Sequence, residues 1–217
     1  VAISRAQDPL APAVLRRIGF FDADKAARLL AMPAMAPLAS SEQALDDFKF
    51  AADPDLALLS ISALLDGDDP QTDLVQAMVA DAEVRVRLVR LLGLSVAFGE
   101  ILRRHPDWWR LAAEPDPDRR PATVRAALLR AVAADPDAPV PVAAEGGTPA
   151  YVALRAEYRR QLIQIADKDL ADELDVGVAT EQSSDLADAV LETALAIARA
   201  EVPGHESCRL SIVAMGK

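Results

Sequence analysis

The side chains of this sequence that could do chemistry are few and scattered. His105 and His205 are its only histidines, and neither has a Cys, His or Glu at metal-ligand spacing, so a two-histidine-plus-carboxylate metal site finds little support. His105 precedes Pro106, a position where an imidazole ends a helix and bonds a carbonyl. Cys208 is the single cysteine, which excludes an internal disulfide or a thiolate zinc site. A lone thiol of this kind is expected to be reduced and buried, in a cytoplasmic protein. No local motif joins Ser, His and Asp, or Cys and His, into a nucleophilic set.

Acidic doublets recur at Asp22 and Asp24, Asp53 and Asp55, Asp66 and Asp68, and Asp116 and Asp118. Nucleotidyl transfer needs two carboxylates on one side of a strand to hold two Mg²⁺ ions against ATP phosphates, because alternate strand residues point the same way. Three of the four doublets enclose proline or glycine, and each stands at a turn or a helix start, so capping of backbone N–H groups is the better account. Residues 66–71 also fail as a calcium loop, with Pro70 and Gln71 where a third ligand and the turn glycine belong. Neither a GxGxxG nor a P-loop is present.

Two basic groups remain. Arg155, Arg159 and Arg160 flank an apolar stripe, with Arg155 and Arg159 four residues apart on one helix face, where paired guanidinium groups suit phosphate or an acidic partner. The competing reading is a solvated face paired with Glu157 and neighbouring acids. Trp108 and Trp109, beside Arg103, Arg104 and Arg110, offer an anchor for a partner or, more simply, one buried indole and one half-exposed.

The elements that position these residues read as helices. Ala, Leu, Val and Arg dominate while aromatics make up 4%, which favours close-packed helices over sheet. Apolar spacing near 3.6 predicts short amphipathic pieces over 9–18, from Asp22 or Asp24, and from Ser40 or Ser41 to Phe50. Asp53-Pro54 reads as an N-cap with proline at the first helical position of a helix running to about 65. A long stretch from Asp69 or Thr72 to Leu102 contains Gly93 and Gly99, each costing about 1 kcal/mol against alanine in a helix interior, which implies close helix approach or a break there. Further helices are predicted from Pro106, over 122–133, from Thr148-Pro149 with a stripe of Tyr151, Leu154, Tyr158, Leu162 and Ile165, and over 180–200. Residues 135–147 read as a linker or mobile loop and 167–177 as irregular. The last residues, 209–217, change character: short, β-favouring and running into glycine, like a strand at the mouth of an α/β domain. One strand makes no sheet, so the chain reads as a piece of a longer protein, with Ile212 and Val213 expected to be sticky or disordered.

The balance of the 217 residues narrows the partners. Thirty-four acidic against 23 basic side chains give a net charge of −11, which argues against an electrostatic grip on nucleic acid or anionic lipid. At 52% hydrophobic the chain has the material for a core, yet no basic leader precedes an apolar run and no stretch of about 18 apolar residues occurs, so secretion and membrane insertion are not expected.

Three segments then act together: 92–108, a Leu92-Gly-Leu-Ser95 helix running into Arg104-His-Pro106; 154–170 with Ser184 to Asp188; and Ile212-Val-Ala-Met-Gly-Lys217. In order and spacing they resemble the glutamine synthetase adenylyltransferase/adenylyl-removing enzyme family, particularly its actinobacterial members. The resemblance implies an N-terminal nucleotidyltransferase domain that removes AMP from a tyrosine of glutamine synthetase by phosphorolysis, and a second, downstream domain that attaches AMP from ATP. It implies ATP and Mg²⁺ as cofactors of the parent enzyme, none held tightly by this piece, and glutamine synthetase and the PII signalling protein as partners. Gly216 and Lys217 are carried over as the entrance to a nucleotide site whose metal-binding Asp-x-Asp is expected beyond them. The expected architecture is an all-α multi-helix region over 1–205 and the first strand of an α/β nucleotidyltransferase domain over 206–217. By itself the piece is expected to be inactive, a scaffold that shapes one wall of the nucleotide cleft and presents the substrate. A free-standing helical adaptor remains the alternative.

Overall fold

The computed structural model describes residues 8–66, 71–113, 119–208, 210, 212 and 213. All its regular structure is helical: α1 Pro12–Ile18, α2 Ala23–Leu30, α3 Ala36–Ala39, α4 Glu42–Asp46, α5 Pro54–Leu65, α6 Thr72–Ala80, α7 Ala82–Leu94, α8 Val96–Arg104, α9 Arg110–Ala113, α10 Pro121–Ala131, α11 Thr148–Leu170 and α12 Val176–Glu201, with short 3-10 turns between some of them. The chain divides into two compact units, residues 1–116 with 163–176, and residues 117–162 with 177–217.

The first unit is punctuated by side-chain caps that the sequence announces. Asp22 accepts from the Lys25 N–H at 2.9 Å, Ser41 from Ala44 at 3.2 Å and Asp53 from Leu56 at 2.9 Å, each satisfying an amide that the first helical turn leaves without a partner. Asp81 caps α7 through the Glu83 and Val84 N–H groups, and Ser95, extended at φ −157°, ψ 137°, separates α7 from α8 and caps the latter. The long periodic stretch is thus three helices, divided at Asp81 and at Ser95, the latter lying between the two glycines where close approach or a break was expected. Both glycines also mark close approach: a Cβ on Gly93 would lie 2.7 Å from the Ala51 Cβ and 2.9 Å from the Asp53 carbonyl oxygen, and one on Gly99 2.8 Å from the Ser60 Oγ. Around α5, the side chains of Phe20, Phe48, Leu58, Ile61, Met78 and Leu88 are buried in one apolar cluster, with the Phe20 and Phe48 rings 5.5 Å apart.

The second unit is built on α10, the first four turns of α11, and α12. Its interior uses Val124, Leu128, Leu154, Leu186 and Ile197 with several alanines, Ala134, Ala143, Ala150, Ala189 and Ala196. The segment 135–147, expected as a linker, is fastened along its length. The Ala143 N–H donates to the Ala196 carbonyl at 3.0 Å, the Ala144 N–H to Val132, and the Gly147 N–H to the Glu201 carboxylate at 2.6 Å. Arg125 and Arg199 add bonds to the carbonyls of Pro136 and Pro141.

Two expectations need correction, and a third is not shown. The segment 167–177 is not irregular throughout: α11 continues to Leu170 and α12 starts at Val176, because the turn between them is closed by Asp172 at φ 60° and by Glu173 N–H donating to the Lys168 carbonyl at 3.0 Å. The stripe on α11 is displaced, with Leu154 and Ile165 buried but Tyr158 38% exposed. The strand expected over 209–217 has no counterpart among the described residues: Leu210, Ile212 and Val213 are exposed and in no ladder, since no other strand is described to pair with them. The rest of that segment, Gly216 and Lys217 included, lies outside the described residues.

Candidate functional site

The residues singled out by type find mostly architectural work. His105 closes α8, its N–H bonding the Ile101 and Leu102 carbonyls, and its ring stacks on Trp108 with centroids 3.9 Å apart. The His205 Nδ1 lies 4.0 Å from the Glu206 carboxylate. Cys208 is free, as expected, but exposed rather than buried, because it follows a 3-10 turn at the surface. Asp55 binds the N–H groups of Phe21 and Asp22 at 2.7 and 3.1 Å, so the Asp22, Asp53 and Asp55 carboxylates cap or brace helix starts. Asp68, Asp116 and Asp118 lie outside the described residues. Among the described residues no group of three or more His, Cys, Asp or Glu could hold a metal ion.

Trp109 is buried and Trp108 half-buried, as their pairing suggested. The Trp109 Nε1 has no acceptor, while the Arg110 guanidinium lies 4.6 Å from its ring and pairs with Asp107 at 2.8 Å and with Asp73. An open depression of about 1,020 Å³ is bordered by Arg17, Glu42 and Asp46, charges of both signs on a rim without a buried polar group.

The strongest electrostatic feature was not singled out from the sequence. Arg87, on α7, donates to the Asp167 carboxylate at 2.8 Å, to Glu83 at 3.0 Å and to Glu173, with the Arg87 side chain 7% and the Asp167 side chain 0% exposed. Neighbouring Arg90 donates to the Leu170 carbonyl at 2.6 Å. Together these bonds fasten residues 163–176 to α7 within the first unit. One Asp167 oxygen, Oδ1, has no donor among the described residues. Burial pushes the Asp167 carboxyl up to about 6, against the pull of Arg87 in the other direction. Burial works against the charge on Arg87 as well, yet three carboxylates hold its guanidinium above its ordinary value. For Asp167 burial outweighs the pull of Arg87, whereas for Arg87 the carboxylates of Asp167, Glu83 and Glu173 together outweigh burial. On the opposite side of α7, Arg85 donates twice to Asp47, at 2.6 and 2.8 Å, with both side chains buried. The available signal was the run Val84-Arg-Val-Arg-Leu-Val, in which arginines interrupt an otherwise apolar helix.

The arginines of α11 separate into two kinds. Arg160 pairs with Glu157 at 3.4 Å, whereas Arg155 and Arg159 make no hydrogen bond or ion pair among the described residues. Among the described residues no helix is long and apolar enough to cross a membrane.

Comparison with known proteins sets these observations in context. The family model described as glutamate-ammonia ligase adenylyltransferase matches residues 85–217, a span that contains all three segments on which the resemblance was read. A bifunctional glutamine synthetase adenylyltransferase/adenylyl-removing enzyme of Streptomyces avermitilis is 36% identical over 208 residues, 94% of this chain. Proteins of the same description from Bifidobacterium longum subsp. infantis and Streptomyces coelicolor are 37% and 35% identical, each over 94% of the chain. The chain spans about a fifth of the length of these relatives. No solved structure matches.

Proposed function

Because this chain belongs to the glutamate-ammonia ligase adenylyltransferase family, we propose that it serves as the helical N-terminal region of an enzyme that both adenylylates glutamine synthetase and removes the AMP again by phosphorolysis. The observation that carries the reading is the similarity along nearly the whole chain to proteins whose description names both activities. In this reading the modified group is a tyrosine of glutamine synthetase, the enzyme works in the cytoplasm, and PII signalling protein biases its two directions. ATP and Mg²⁺ supply the nucleotide and the charge neutralisation for in-line transfer in the parent enzyme. The described residues do not fit Mg²⁺, since they offer no cluster of donors for it, and Gly216 and Lys217 belong to the proposal only as the entrance to the nucleotide site.

The share of this chain is then mechanical. Residues 1–205 form a helical body that presents glutamine synthetase, and residues 206–217 lead into the nucleotidyltransferase domain. Two features support a positioning role: the anchoring of 163–176 by Arg87 and Arg90, and the fastening of 135–147 along α12. Incubating the purified 217-residue chain with adenylylated glutamine synthetase and phosphate tests it. Binding without release of AMP is the expected result, and AMP release by this chain alone would overturn the scaffold assignment.

A further inference from the structure

We propose that the face of α11 carrying Val152, Arg155, Tyr158 and Arg159 is a docking surface for an acidic protein partner; resting on the reading above, that partner is an acidic patch of glutamine synthetase. On a helix, residues three and four apart are neighbours, so Arg155 adjoins Val152, Tyr158 and Arg159 on successive turns, all within the second unit. The face is open where the apolar pattern calls for cover. Leu154 is buried, while Val152 is 55% and Tyr158 38% exposed, so Val152 and part of the Tyr158 ring are left uncovered by the described residues.

Charge selects what covers it. In the same unit Arg125 pairs with Glu192, Arg160 with Glu157, and Arg199 donates to the Pro141 carbonyl, whereas Arg155 and Arg159 have no partner among the described residues. Arg16, Arg28 and Arg130 are exposed and likewise without a partner among the described residues, and what marks Arg155 and Arg159 is their place: one turn apart on one helix face, beside the exposed Val152 and Tyr158. Guanidinium forks match carboxylates in bidentate geometry, and Arg with Tyr is the composition of interface anchors. A small free anion would engage the arginines and leave Val152 and Tyr158 bare, and a nucleic acid would meet the repulsion of the whole chain. An acidic protein surface satisfies the arginines and the apolar residues together.

The test is the affinity of the 217-residue chain for glutamine synthetase, measured by biolayer interferometry at low and moderate salt. Wild-type binding is expected to weaken as salt rises. Arg155→Glu with Arg159→Glu is expected to lower affinity by about tenfold or more, and Tyr158→Ala by a smaller factor. Arg16→Glu with Arg28→Glu, the same charge change on exposed residues of α1 and α2, is expected to leave affinity unaltered. Circular dichroism checks that every variant keeps its helices. Affinity within about twofold of wild type for the α11 variant, or an equal loss in the control, overturns this surface and leaves the scaffold reading standing. Absence of any wild-type binding overturns both.

Discussion

The first unit buries two ion pairs, Arg85–Asp47 and Arg87–Asp167, with no side chain in them more than 7% exposed, whereas the Arg125–Glu192 pair of the second unit is 34% and 33% exposed. The two units also differ in charge. Residues 1–116 with 163–176 contain 23 acidic and 13 basic side chains, a net −10, while 117–162 with 177–217 contain 11 and 10, a net −1. The acidic unit thus draws scarce arginines inward and packs them against carboxylates, at the desolvation cost that leaves Asp167 raised. The balanced unit has no such deeply buried pair among its described residues, its Arg125–Glu192 and Arg160–Glu157 pairs being partly exposed, and on α11 Arg155 and Arg159 have no partner among the described residues. Their cores follow suit: Phe20, Phe48 and Met78 fill the first, alanines line much of the second. Two helical assemblies in one chain therefore depend on different forces, and substitutions should tell them apart.

Arg87→Met should have the largest effect, about 3–5 kcal/mol of lost stability in urea denaturation, since it strands Asp167 without a partner in the interior. Replacing Asp167 with leucine in the same molecule should recover much of that loss. Gly93→Ala should cost about 1–3 kcal/mol, because the new Cβ meets the Asp53 carbonyl oxygen, which belongs to the backbone and cannot swing aside. A third effect is proton-linked. The folded carboxyl of Asp167 binds its proton more tightly than the unfolded one, about 6 against 3.8. Its stabilising contribution is therefore complete below about pH 4 and lost as pH rises through 6. Relative to Asp167→Asn, wild type should gain about 1 kcal/mol between pH 7.5 and 5.5; a difference that is flat with pH would show that Asp167 titrates normally. Smallest of all, Arg125→Met in the second unit should cost less than about 1 kcal/mol, and a loss equal to that of Arg87→Met would erase the contrast between the units.

Local chemistry was legible in the residues. Asp22, Ser41 and Asp53 cap helices because a short oxygen-bearing side chain ahead of an apolar run needs no distant partner, so two members of the acidic doublets, Asp22 and Asp53, serve as the caps that their positions suggested. Gly93 and Gly99 announced close contact, although not with Ala51 and Ser60. The open face of α11 was half legible: Arg155 and Arg159 share a face by spacing alone, but the exposure of Tyr158 contradicts the stripe that its spacing predicts. Cys208 was misplaced because burial of a lone thiol is a tendency of the residue type, while its position after a surface turn is a property of the fold.

The order of residues by itself determined that this chain is helical, where its helices begin, and to which family it belongs, because capping, 3.6-residue spacing and motif order are all local. Only the folded structure decided that Arg87 meets Asp167, 80 positions away, that residues 135–147 are tied down, and that Tyr158 is left in water. Each of these depends on which surfaces remain after packing, and a periodic pattern shows which side of a helix is apolar without showing what covers it.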